Sequence, residues 1–213
     1  MAWANRQHSD RSQPSARHFD PVVVGRRECA VWVSYYRHEW LRFLGAALGM
    51  VRAGFGMSWP RTVAGAWHAL RANQAWAPYP DNKPDLAREY MRRFYALVAA
   101  RGQLQLEPSE AARREVEWWR IHRVHQHESS VTEEDLIAAL CQLYSHVYSV
   151  ESGAVREAAW QRVIAMRLSD EWVAGGCDTT SELLLAERRA LVASYSALLD
   201  AVSPEPADAM DRR

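Results

Sequence analysis

Lysine is almost missing from this 213-residue chain: Lys83 stands alone among 26 basic residues, the other 25 being arginine. No K/R-rich block, zinc-finger spacing or RNA-binding aromatic signature accompanies those arginines, so nucleic-acid binding is not expected. Arginine in place of lysine fits the coding bias of a GC-rich bacterial genome. Cysteine is also scarce. Cys29, Cys141 and Cys177 are an odd number at wide spacing, which fits free thiols in a reducing cytoplasm rather than a disulfide framework. Long apolar runs are lacking: the longest stretch free of Asp, Glu, Lys and Arg is the 15 residues from Leu136 to Val150, short of the roughly 18 or more that span a bilayer. No secretory signal is legible, and a cytoplasmic protein without a transmembrane segment is expected.

Alternating runs of β-branched residues are absent too, Val22-Val23-Val24 being the one strand-like fragment. There is no Gly-x-Ser-x-Gly elbow, no glycine-rich phosphate loop and no cysteine set beside histidine in a catalytic signature. Among the thiols, Cys177, between Gly176 and Asp178, is the better candidate for a reactive one. No repeat of fixed period points to a solenoid.

What is present is apolar spacing of three and four, which predicts an all-α chain, a compact bundle or array of about seven helices. Residues 1–20 and 204–213 read as disordered tails, and 21–203 as a single helical domain. The first helix is expected over 28–53, unusually long, with Gly45 or Gly49 as points of interruption. The second follows Ser58 and Pro60 and turns Val63, Ala66, Trp67 and Leu70 inward. Prolines 78, 80 and 84 then stiffen a connection to a third helix over 85–101. A fourth opens at Pro108 and runs to about Gln126. Capping boxes at Ser130/Glu133 and Thr179/Glu182 are expected to start the fifth and seventh, with a sixth over 153–173 between them.

The formal net charge is zero, but its distribution is two-sided. Residues 1–101 hold 15 basic against 7 acidic side chains, a balance of +8, and residues 102–213 hold 11 against 19, a balance of −8. Packing of the two halves on each other is one consequence, self-association another, and contact of the basic half with anionic lipid a third. Ten tryptophans supply core and inter-helix packing. The stretches 54–60 and 76–80 are where exposed aromatics would form a partner platform.

Function is sought where polar residues interrupt an apolar helix face, because burial of such groups is costly unless they are paired. In the fourth helix Glu115, Trp118, Trp119 and His122 share one side, with His125 at its edge. Glu115, Trp118, Trp119 and His122, with Arg37 and Gln74 on inward faces of the first two helices, make up the candidate ligand site. Glu115, His122 and His125 are also the candidate metal ligands, with His38 or His146 as further ones, although neither a zinc-protease nor a di-iron spacing occurs. Ion pairs are expected between Arg37 and Glu115, and between Arg162 and Asp170 or Glu187. Three functions follow: a non-catalytic module that binds a protein or a small apolar ligand, a metal- or haem-dependent enzyme, and a peripheral membrane protein.

Overall fold

A computed structural model describes residues 15–128 and 130–203. Among them are eight α-helices and no strand: α1 (Pro21–Tyr36), α2 (Trp40–Phe55), α3 (Trp59–Trp76), α4 (Pro84–Ala99), α5 (Pro108–His127), α6 (Glu133–Tyr148), α7 (Arg156–Ala174) and α8 (Glu182–Val202). A 3-10 turn, Ser152–Val155, leads into α7, where the periodicity predicts continuous helix from Gly153. The all-α class is as expected, with one helix more than the spacing suggests.

The additional helix comes from a break that no glycine or proline announces. The expected long helix over 28–53 does not stop at Gly45 or Gly49; it divides at Arg37–Glu39. His38 adopts a left-handed backbone conformation, φ 57°, and the Glu39 N–H returns to the Ser34 carbonyl at 2.8 Å, which closes the end of α1. Glu39 then bonds both Arg37 and Arg42, and Trp40 stacks on the His38 ring. The start of α1 also differs from expectation. Asp20 accepts hydrogen bonds from the Val22 and Val23 amides, with Pro21 in the first turn, a favourable cap that makes the three valines helical rather than strand-like.

Two further caps lie one motif away from their expected places. Thr132 and Asp135, not Ser130 and Glu133, form the capping box of α6. Ser181, rather than Thr179, caps α8, while the Asp178 carboxylate bonds Thr180. Within the segment expected as an N-terminal tail, residues 1–14 lie outside the described residues, and residues 15–20 are packed. Ala16 and Phe19 are buried, and the Arg17 guanidinium donates to the carbonyls of Tyr148 and Val202. The expected C-terminal tail, 204–213, lies outside the described residues.

Connections run from three residues (37–39) to eight (100–107), lengths that set successive helices antiparallel. Each helix packs against the one after it, and α8 returns to pack against both α7 and α1. The array is therefore a closed ring. Its main core joins residues of α1 through α8, including Val51, Ala72, Phe94, Val116, Leu140, Met166 and Leu198, each large side chain contributing roughly 1.5–3 kcal/mol through burial. Smaller clusters seal α1 to α7 and α8 through Cys29, Ala165 and Leu191, and α2 to α3 through Phe43, Ala47, Ala66 and Leu70. No described helix is long and apolar enough to cross a membrane.

Candidate functional site

A ring of eight helices turns eight inward faces towards one axis, and the side chains do not fill all of it. A cavity of about 230 Å³ remains, walled by residues of all eight helices. Most of the wall is aromatic or aliphatic; the polar side chains on it fall into two clusters and a rim.

The first cluster is an ion pair. Arg162 of α7 donates through both terminal nitrogens to the two oxygens of Glu28 on α1, one bond measuring 3.0 Å. Its guanidinium also lies over the Trp32 ring at 5.5 Å and over the Trp118 ring at 5.4 Å. Both charges are buried, with Glu28 2% and Arg162 8% exposed. A two-pronged pair held between two π faces is how such charges persist away from water. Arg162 therefore meets neither Asp170 nor Glu187, the partners its helix face suggests. Glu187 instead lies fully buried on α8, its carboxyl oxygens without a hydrogen-bond partner among the described residues. Burial pushes its carboxyl up to about 7.

The second cluster centres on Glu115 of α5. Its carboxyl accepts from the Tyr95 hydroxyl at 2.7 Å and from the Trp119 indole N–H at 3.2 Å. Burial raises the Glu115 carboxyl above the ordinary range, against the opposing pull of the Tyr95 bond and the Arg162 charge. Trp118 beside it keeps its indole N–H without a partner among the described residues. Burial likewise raises the phenol of Tyr95 and moves that of Tyr144, also on the wall, up to about 12. These hydroxyls are protonated donors at neutral pH.

The rim forms where α1, α5 and α7 end. His122 lies 3.1 Å from an Asp170 carboxylate oxygen, and the Gln126 amide donates to the other at 2.6 Å. Gln126 also approaches the Tyr36 hydroxyl at 3.4 Å, and Arg123 donates to the Tyr35 hydroxyl at 3.2 Å. Arg123 further covers the rings of Trp76 and Tyr79. Three helices that are not all neighbours in the ring are thus bridged across its interior by polar side chains.

Of the residues singled out from sequence, Glu115, Trp118, Trp119 and His122 line the cavity, and Arg37 and Gln74 do not. Arg37, expected to pair with Glu115, is held at the end of α1 by Glu39 and by the Cys177 carbonyl at 3.1 Å. Gln74 bonds Arg71, and its neighbour Asn73 faces the cavity instead. His125 is half-buried outside the wall, His38 is in the α1–α2 turn, and His146 meets the Glu107 carbonyl. Among the described residues no three His, Cys, Asp or Glu side chains are placed to hold a metal ion, so Glu115, His122 and His125 do not combine as the expected ligand set. Cys177 sits half-buried in the α7–α8 turn.

Sequence reasoning missed Glu28, Arg123 and Tyr95. With α1 begun at Asp20, Glu28 falls one turn from Val24 and one from Trp32 on a single inward face; an assumed start at Glu28 hid that position. No protein-family model, curated protein or solved structure matches the chain, so the chemistry of the site is argued from its own geometry.

Proposed function

We propose that this chain is a binding protein that holds one small, planar, mostly apolar molecule inside its helical ring. The observation that carries this reading is the central cavity itself. Well-packed interiors keep few voids larger than a water molecule, whereas this one measures about 230 Å³ and draws wall residues from every helix. An engineered apolar cavity of roughly 150 Å³ encloses benzene; by that scale a two-ring aromatic molecule fits here. Indole and phenyl faces from Trp118, Trp119, Phe94 and Tyr144 suit flat rings, and a few converging polar groups are what fix orientation in such sites. Those groups are the Glu115 carboxyl and the rim of His122, Arg123 and Gln126.

A size series tests the reading. Benzoate, 2-naphthoate and pyrene carboxylate are titrated into the protein, with quenching of the wall tryptophans as readout. One- and two-ring compounds are expected to saturate the signal at one equivalent, and the four-ring compound to leave it unchanged. Failure of every one- and two-ring compound to bind would overturn the proposal.

A further inference from the structure

A continuous stripe of exposed apolar side chains runs along α3. Trp59, Val63 and Trp67 recur every four residues and are 60%, 52% and 49% exposed, although the spacing with Ala66 and Leu70 predicts Val63 and Trp67 to face inward. The buried face of α3 is instead Thr62, Gly65, Ala66 and Leu70. Arginines mark both ends of the stripe: Arg52 lies over the Trp59 ring at 4.6 Å, and Arg71 over the Trp67 ring at 6.0 Å. From Trp40 to Pro80 the sequence holds Arg42, Arg52, Arg61 and Arg71 and not one Asp or Glu. Carboxylates border the hairpin on two sides: Glu39, just before α2, pairs with Arg42 at 3.0 Å, and Glu89 of the neighbouring α4 is bonded to both Arg92 and Arg93.

We propose that the α2–α3 hairpin is a membrane-docking surface, seated on the headgroup layer of an anionic bilayer with α3 parallel to the membrane plane. Indole rings partition to the headgroup level, and arginine stems lie along apolar surface while their charges reach phosphate. The eight positions from Trp59 to Trp67 set the two rings roughly 12 Å apart along one helix, which lets both reach the same depth. Arg52, Arg61 and Arg71, with no acid between residues 40 and 80, match a negative surface. The acids of the adjoining α4 are taken up by its own arginines, whereas Arg52, Arg61 and Arg71 of the hairpin have no carboxylate partner among the described residues, and a surface with free cations of one sign favours a negative bilayer over a protein partner or a second copy. This inference does not depend on ligand binding in the cavity.

Co-sedimentation of the full chain with vesicles of phosphatidylcholine alone, and of phosphatidylcholine with phosphatidylglycerol, tests it. Binding is expected to the anionic vesicles only and to weaken steeply with added salt. Trp59→Ser with Trp67→Ser is expected to lose at least roughly tenfold in affinity with an unchanged helical spectrum. Should that pair perturb folding, Val63→Glu places a negative charge in the middle of the stripe at an exposed position, and roughly a fivefold loss is expected. No binding to anionic vesicles, equal binding to neutral ones, or unchanged binding by both folded variants overturns the proposal. So does a wild-type dimer that the stripe variants convert to monomer, or tighter retention on a single-stranded oligonucleotide than on vesicles.

Discussion

At the scale of single residues, the ring is constrained by the ionisable groups it turns inward. Removing one member of the Glu28–Arg162 pair strands the other charge between Trp32 and Trp118. Arg162→Met is therefore expected to cost about 3–5 kcal/mol in urea unfolding, and Arg162→Met combined with Glu28→Leu to recover most of that loss. Glu187 gives a pH signature of its own. Its carboxyl stands at about 7 against an ordinary 4.5, so the folded chain binds this proton more tightly than the unfolded one. The stability it supports is full below pH 4.5 and is lost as pH rises through 7, roughly 3 kcal/mol in all. Glu187→Gln, unfolded across that pH range, is expected to lack this decline; a wild-type decline that survives the substitution would assign it elsewhere. These inward charges were half legible. Glu115 and His122 stand on an unambiguous apolar face of α5, but which partner each meets depends on how the ring closes. The partners that emerged, Tyr95 from α4 and Asp170 from α7, are fixed by packing across helices rather than by spacing along one.

At the scale of elements, two glycines show where helix packing is tight and where it is loose. A Cβ at Gly25 would lie 2.9 Å from the Val192 backbone nitrogen of α8, so Gly25→Ala must push α1 and α8 apart. It is expected to destabilise by about 1–3 kcal/mol. At Gly45 of α2 a Cβ meets nothing within 4 Å, and Gly45→Ala is expected to stabilise by about 0.5–1 kcal/mol through helix propensity alone. Thermal unfolding of the two variants under one buffer distinguishes them by sign. The same elements show why periodicity located helices better than it located their ends. Apolar spacing identified each helical stretch because burial repeats every turn, but caps are decided by single side chains with close competitors. Thr132 prevails over Ser130 because Asp135 reaches back to its amide at 2.8 Å. The division at His38 depends on a left-handed residue and on a carbonyl at Ser34, neither of which composition signals.

At the scale of the whole molecule, closure converts a chain of antiparallel neighbours into a container. The contact of α8 with α1 is the non-local one, and it places Glu28 opposite Arg162 and brings the described end of the N-terminal segment onto α6 and α8 through Arg17. Among the described residues one ion pair joins the two halves, and it runs against their charge imbalance: Glu28 is an acid of the basic half and Arg162 a base of the acidic half. The α2–α3 hairpin keeps its arginines without an acid between residues 40 and 80. The central claim is that the cavity is a binding site and not a packing defect. Calorimetric titration of 2-naphthoate into the wild type and into Gly54→Leu tests it most directly. Gly54 lines the cavity, and a Cβ there meets only Val24, at 3.9 Å, so a leucine at that position takes up ligand space without displacing backbone. The account predicts one-to-one binding to the wild type with a negative heat-capacity change from apolar burial, and loss of that binding in a Gly54→Leu protein that remains folded. Equal heats from both proteins, or none from the wild type, would contradict it.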